Sequence, residues 1–394
     1  MDGEKRLNSI ELFCGTGGLA LGLQRAGFCH QALFEWDKDS CDNIRANIKA
    51  GFPGIGSWQV FQQDVRTVSY DAYKGAVQVI SGGPPCQPFS MGGKAKAYND
   101  HRDMFPEAVR AVREIQPLAF VFENVKGLMR PSFGAYFRYI ILQLKYPSQV
   151  KKEGMSWEKH KEVLEEYDQK EGLNNPEYDV YYTMVNAADY GVPQLRYRVF
   201  IVGFRNDLKI KWSFPLPTHS KDALLYSKWV TYEYWDRHNL PRPTVVPVSE
   251  NEIDRIKNRF ESSSPKTLPW LTTRDAIGNL PEPTVEACAT IMDHEYRPGA
   301  KSYAGHTGSL LDEPSKTIKA GAHGVPGGEN TVLLDNGEVR YYTVRESARI
   351  QTFPDDYRFS TSWTESMRQI GNAVPMRLAE IMGKAVSEAL KGVL

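Results

Sequence analysis

Between residues 9 and 204, short apolar runs alternate with amphipathic stretches. Residues 9–13, 31–35, 58–62, 77–80, 118–122 and 198–204 have the length and apolar density of buried strands. Between them, residues 18–27, 38–50, 104–115 and 133–144 place apolar side chains at helical spacing. Repeated strand, helix, strand predicts an α/β fold with a parallel, doubly wound sheet and helices on both faces. Helical spacing returns near the end, over 343–351 and 375–390.

The stretch between those two regions has a different pattern. Residues 206–338 hold half of the 24 prolines together with His219, His238, His294, His306 and His323, a composition that disfavours long regular helices. The expectation is a smaller, irregular domain at 206–338, inserted into a larger one made of 1–205 with 339–394. Residues 148–177 are dense in Lys and Glu around 157–167 and read as a solvated surface helix. No internal repeat or low-complexity tract is present.

Composition narrows the class. At 394 residues with 41% hydrophobic and 24% charged residues, the chain has the material for a sizeable core and is far from the disordered corner. Lys plus Arg and Asp plus Glu are 48 each, so any basic surface must be local. The five cysteines, Cys14, Cys29, Cys41, Cys86 and Cys288, are odd in number and form no CxxC pair. That argues against a disulfide framework and a structural zinc site; no metal is expected, and a reducing cytosol fits. The start lacks the apolar stretch of a signal peptide, and no run approaches the ~20 apolar residues that span a bilayer, so no membrane association is expected.

In an open α/β sheet, ligands bind beyond the carboxyl ends of the strands. Those positions carry Cys14-Gly15-Thr16-Gly17-Gly18, Glu35-Trp36-Asp37, Asp64-Val65, Gly82 to Gln87 and Glu123-Asn124-Val125. A glycine turn opening a helix, with an acid about 20 residues later, suits a ligand carrying a ribose. Gly15, Gly17 and Ala20 with Glu35 satisfy it, equally for a nicotinamide dinucleotide and for an adenosyl ligand. Trp36 offers an adenine a flat face and Asp64 an acceptor, although Trp36 could be core and Asp64 a helix cap. Pro84-Pro85 fixes the backbone immediately before the Cys86 thiol, a stiff mount for a nucleophile, with Glu123 as an acid on the neighbouring strand. The other four cysteines read as buried and inert.

With these residues in place, the chain resembles the cytosine carbon-5 DNA methyltransferases of bacterial restriction-modification type, over nearly its whole length and with the motifs in the family's order. The resemblance implies a doubly wound, Rossmann-like S-adenosylmethionine domain with an irregular inserted target-recognition domain. It implies cofactor contacts at Phe13, Gly15, Gly17, Gly18, Glu35, Trp36, Asp64, Val65, Pro85, Asn372 and Ala373. Catalytic roles fall on Cys86, Glu123, Arg198 and Arg196. Gln194 to Arg198 resemble the glutamine and arginine motif, placed after the seventh strand. Arg345-Glu346, Arg349 and Phe353-Pro354 resemble the element that follows recognition, and Gly371 to Val374 the last cofactor motif. DNA contacts are expected from Gln87, Ser90, Gln194, Lys319, Gly321 and His323, the last three within 317–324, with 87–99 closing over the base.

The implied reaction uses S-adenosylmethionine, releases S-adenosylhomocysteine, and methylates carbon 5 of a cytosine flipped from a specific short duplex; methylation of tRNA is the alternative. A monomer in the bacterial cytoplasm, acting on the nucleoid and paired functionally with a restriction endonuclease without stable binding, is the further expectation. A Rossmann dehydrogenase would have no use for Cys86 with Glu123. A DNA-binding protein on a dead enzyme fold would be expected to have lost one of them.

Overall fold

A computed structural model describes residues 7–85, 103–169, 176–243, 248–302, 307–320 and 330–394. Strands β1 (Leu7–Leu12), β2 (Phe28–Glu35), β3 (Val60–Gln62), β4 (Val79–Gly82) and β5 (Ala119–Val125) run parallel in the order β3-β2-β1-β4-β5. Helices α1 (Gly18–Arg25), α2 (Lys38–Lys49) and α3 (Phe105–Ile115) lie between them in sequence, and α4 (Gly134–Lys145) follows β5. After α5 (Trp157–Gln169), the strands β6 (Tyr178–Asn186) and β7 (Tyr197–Arg205) complete the sheet, with β7 inserted between β5 and β6.

The sheet therefore departs from the expected all-parallel form. β7 is antiparallel to both its neighbours, and β6 is an additional edge strand. The link at 187–196 is shorter than the dozen or more residues of a crossover, so the chain can only double back. The Lys- and Glu-rich segment does form a helix, α5, but not a fully solvated one. His160 and Leu164 are buried, and Trp157 packs edge-on to Tyr136 with ring centres 5.2 Å apart.

One face of the sheet buries Ile10, Phe34, Phe120 and Phe122 against α3 and α4. Each fully buried phenylalanine removes enough apolar surface from water to contribute about 1.5–3 kcal/mol. The opposite face packs Leu7, Val79, Val121 and Val202 against α1 and the last helix, α13 (Met376–Lys391).

Residues 206–338 contain β8 (His219–Ser220), α6 (Lys221–Trp229), α7 (Glu233–Arg237), α8 (Glu250–Arg259), β9 (Leu268–Pro269), α9 (Thr273–Ile277) and α10 (Val285–Thr290). As expected of so proline-rich a region, its helices are short. Leu224, Trp229, Tyr234, Trp235 and Ile256 form a core of their own. The later strands β10 (Ser309–Leu310), β11 (Thr331–Leu333) and β12 (Val339–Tyr341) behave differently. Ile318 and Val332 share a cluster with Ala20 and Leu21 of α1, with α11 (Val344–Ile350), and with Met367 and Ile370 of α12 (Trp363–Asn372). Ile277 of α9 belongs to the same cluster, so both α9 and the segment around β11 pack on α11, apart from the core formed by α6–α8. Among the described residues, no helix is long and apolar enough to cross a membrane.

Candidate active site

The carboxyl end of β1 turns through Cys14-Gly15-Thr16-Gly17 into α1. Gly15 and Gly17 sit at φ 53° and 86°, in the left-handed region that favours glycine. Gly18 is required for a different reason: a Cβ there would lie 2.5 Å from the Val374 carbonyl. The turn is braced from distant parts of the chain. Asn43 Nδ2 donates to Thr16 Oγ1 at 2.8 Å, and the Tyr357 hydroxyl donates to the Thr16 carbonyl at 2.8 Å. Sequence reasoning missed both residues; the polar pair Asn43 and Asn47, one turn apart on the buried side of α2, was the available signal.

Glu35 ends β2 with its carboxylate accepting from three backbone N–H groups, those of Gly15 (2.8 Å), Trp36 (2.9 Å) and Asp37 (3.0 Å). Burial pushes its carboxyl up, and the three N–H groups oppose that shift. Trp36 is 73% exposed, which excludes the core alternative and leaves an indole face open beside Glu35. Asp64 is the N-cap of a short 3₁₀ turn and holds Arg66 through Nε at 2.9 Å, so the capping role is realised. The Arg66 guanidinium holds its carboxyl below the usual range. Val65 is buried, Phe13 is half-buried at φ 56°, and Asn372 is exposed. Ala373 is buried with its carbonyl accepting from Arg196 and Gln351.

These features fit an adenosyl ligand. A Cβ at Gly15 would meet nothing within 4 Å, so there is room above the turn, with an aromatic plane and a fixed carboxylate alongside. Removing that plane tests the fit: Trp36→Ala is expected to weaken S-adenosylmethionine binding by about 1 kcal/mol or more. Unchanged affinity by calorimetry would show that the indole does not contact the ligand.

The second centre lies where β4, β5 and β7 meet. Because β7 is antiparallel to β5, Arg198 at its start pairs in register with Val125 at the end of β5. Its Nε donates to Glu123 Oε1 at 2.7 Å. Both side chains are almost enclosed, and burial pushes the Glu123 carboxyl up against the pull of Arg198 and Arg196. Asn124 Nδ2 donates to the Pro84 carbonyl at 2.8 Å, tying the two-proline mount to β5. A Cβ on Gly83 would lie 3.5 Å from Glu123 Oε2, and the exposed Pro85 accepts from Met104 N at 3.1 Å. The acid therefore stands beside the backbone that leads into Cys86. Cys86, Gln87, Ser90, Gly321 and His323 lie outside the described residues.

Two expectations need correction. Gln194 cannot touch DNA: it is 0% exposed, accepting from Ile318 N and donating to Gln351 Oε1, both at 3.1 Å. Its motif precedes β7 and runs into it, where the resemblance placed it after the seventh strand. Arg196, expected to be catalytic beside Arg198, spends both terminal nitrogens on the carbonyls of Ile318, Gly371 and Ala373. Lys319 is exposed, with its backbone N–H and carbonyl both bonded to the Asn330 amide at 2.9 Å. Of the remaining cysteines, Cys14 and Cys41 are buried as expected, and burial pushes the Cys41 thiol to about 12. Cys29 and Cys288 are only partly buried, contrary to expectation.

A model of the C-5 cytosine-specific DNA methylase family matches residues 7–146 and 153–388. The chain is 34% identical over 383 residues to the Type II methyltransferase M.PspPI of Psychrobacter sp. (strain TA137), covering 97% of this chain and 79% of that protein. It is 30% identical to the Type II methyltransferase M.NgoMIV of Neisseria gonorrhoeae, covering 98% and 99%. The fold is similar to that of the methyltransferase EhMeth of Entamoeba histolytica, with a TM-score of 0.57 at 14% identity over 98% of this chain and 99% of that one. It also matches the S. pombe Dnmt2 methyltransferase, with a TM-score of 0.52 at 17% identity and the same coverage. With a family match along almost all of its length, the chain belongs to the C-5 cytosine-specific DNA methylases and is a DNA cytosine-5 methyltransferase.

Proposed function

We propose that this methyltransferase moves the methyl group of S-adenosylmethionine to carbon 5 of a cytosine turned out of a specific short duplex sequence, through a covalent Cys86 adduct. The observation that carries this reading is the Glu123–Arg198 pair, enclosed at the end of β5 beside the Gly83-Pro84-Pro85 mount.

Carbon 5 of cytosine is a weak nucleophile. The Cys86 thiolate gives its electron pair to carbon 6, and the C5=C6 pair becomes available at carbon 5. When bound, S-adenosylmethionine supplies an electrophilic methyl on a sulfonium, which carbon 5 takes as the sulfur–methyl bond breaks to leave S-adenosylhomocysteine. Loss of the carbon 5 proton to a base and departure of the Cys86 thiolate restore the double bond. Glu123, whose raised pKa lets it keep a proton at a higher pH than an ordinary glutamic acid, faces N3 as charge develops on the ring. Arg198 holds O2, and Arg196 positions it from behind. No step calls for a metal.

The target base is inaccessible inside a duplex, so it is flipped into the pocket, and residues 87–99 are assigned to closing over it. Sequence choice belongs to 206–338, with 317–324 approaching the DNA. Loops on a rigid scaffold suit a variable reader, and Lys319 stands exposed there on a stem fixed by Asn330. The Type II names of the relatives support a functional pairing with a restriction endonuclease; that pairing is assigned without stable binding, in a bacterial cytoplasm. A monomer suffices for the chemistry.

Expression in a host without cytosine methylation, followed by bisulfite sequencing against an empty-vector control, is expected to mark cytosines in one short sequence. Exchanging 219–272 and 307–330 for a relative's residues should change that sequence while methyl transfer continues. Marks confined to tRNA would overturn the DNA reading, and an unchanged sequence after the exchange would move the reader elsewhere.

A further inference from the structure

A continuous set of buried amides joins the DNA-reading stem to the cofactor side of the molecule. The Ile318 peptide is held at both ends: its N–H donates to Gln194 Oε1 at 3.1 Å, and its carbonyl accepts from Arg196 at 3.1 Å. The preceding residue is held as well, because the Thr317 hydroxyl donates to the Leu195 carbonyl. From Gln194 the chain of bonds continues through Nε2 to Gln351 Oε1 at 3.1 Å. Gln351 Nε2 then donates to the carbonyls of Ile370 (2.6 Å) and Ala373 (3.1 Å), while Arg196 reaches Gly371 (2.7 Å) and Ala373 (2.9 Å) directly. Gln194, Arg196 and Gln351 are all fully buried.

A separate observation supports the same junction. A Cβ on Gly371 would lie 2.4 Å from Ala320 N and 2.5 Å from the Lys319 carbonyl carbon, so the carboxyl end of α12 rests on the stem backbone with no room for a side chain between them. The two segments touch both through hydrogen bonds and through bare backbone.

Taking the proposed roles of 317–324 and 371–373 as given, we infer that Gln194, Gln351 and Arg196 are positioning residues that couple target recognition to cofactor binding. In a dry interior an amide without its partner is costly, so such a network holds or breaks as a unit. A stem drawn toward DNA cannot shift by an ångström without either breaking the Ile318 bonds or carrying residues 370–373 with it. The arrangement of the cofactor loop that suits a docked stem is then favoured by DNA, and by thermodynamic reciprocity the cofactor favours the docked stem by the same factor. Arg198, two residues beyond Arg196, is set by the same network, so the base-binding arginine is aligned when both ligands are in place.

The test measures S-adenosylhomocysteine affinity by calorimetry with and without a duplex carrying the methylated sequence, and duplex affinity with and without S-adenosylhomocysteine. For the wild-type protein each ligand is expected to tighten the other on the order of 10-fold. In Gln351→Met and in Gln194→Met both ligands should still bind singly, with the mutual enhancement reduced to about 2-fold or less. Lys319→Ala should weaken the duplex while leaving the enhancement intact. If Gln351→Met fails to fold, Gln194→Met carries the test with the same expected loss, since it removes the acceptor for the Ile318 N–H and the donor to Gln351. Independent binding of the two ligands in the wild type, or full enhancement in the glutamine variants, overturns the inference. A wild-type protein that binds neither ligand would instead overturn the proposed function.

Discussion

Cys86→Ser is expected to lower methyl transfer by on the order of 10³-fold or more, which corresponds to about 4 kcal/mol added to the barrier. A serine hydroxyl has almost no anion to offer near neutral pH, whereas a thiol keeps a few per cent as thiolate and is the stronger nucleophile. Affinity for S-adenosylhomocysteine should stay within about twofold, because the side chains bracing the cofactor turn, Asn43 and Tyr357, are untouched. The wild-type protein should also form a stable adduct with a duplex containing 5-fluorocytosine, since fluorine cannot leave as a proton does and the thiolate has no way to depart. Single-turnover transfer of a labelled methyl group checks the first result and denaturing electrophoresis the second. Turnover within tenfold of wild type, or no trapped adduct, would exclude the covalent route.

Arg345→Ala is expected to carry the largest stability loss of any single substitution considered, about 3–5 kcal/mol. The guanidinium is fully buried and donates to the carbonyls of Met292 (3.1 Å), Pro354 (3.0 Å) and Tyr357 (2.9 Å) and to Asp293 Oδ2 (3.0 Å). Truncation takes a charged donor from the half-buried Asp293 carboxylate, leaving it the Phe359 N–H at 3.1 Å, and takes donors from three carbonyls. Arg345→Lys should recover only part of the loss, because an ammonium on a flexible stem cannot reproduce the planar fork. Because the Tyr357 hydroxyl holds the Thr16 carbonyl, cofactor affinity should fall along with the urea midpoint. A loss under 1 kcal/mol would mean that the surrounding loops satisfy those groups without the arginine.

Much of this architecture is legible in the chain. Buried parallel strands are continuous apolar runs flanked by turn residues, so β1, β2, β4 and β5 stand out, as do the residues just beyond them. The direction of β7 is not written in its own side chains. The preceding strand β6 (Tyr178–Asn186) is rich in aromatic and β-branched residues, and it is the short link at 187–196 that makes β7 run antiparallel to it, with Tyr182 and Met184 half-exposed at the sheet edge. Gln194 and Arg196 were misplaced for a related reason. A polar residue in a chemically active motif suggests contact with substrate, but the sequence does not say which backbone groups will be brought opposite it, and here those groups belong to residues 318 and 370–373. Trp36 shows the converse: only the fold tells an exposed indole beside a carboxylate from a core one.

The support of the cofactor turn by residues near the other end of the chain also has a consequence for the order of events during synthesis. The bond from Tyr357 to Thr16 spans 341 positions, and Gly18 rests on Val374. Contacts so distant in sequence close late and slowly, since the intervening chain must first be ordered. A nascent chain can assemble β1–β5 on the ribosome, but its cofactor turn gains its last supports only after Tyr357 and Val374 have emerged. Methylating activity should therefore appear abruptly at release, with stalled chains ending near residue 340 showing protease-resistant sheet and no cofactor binding.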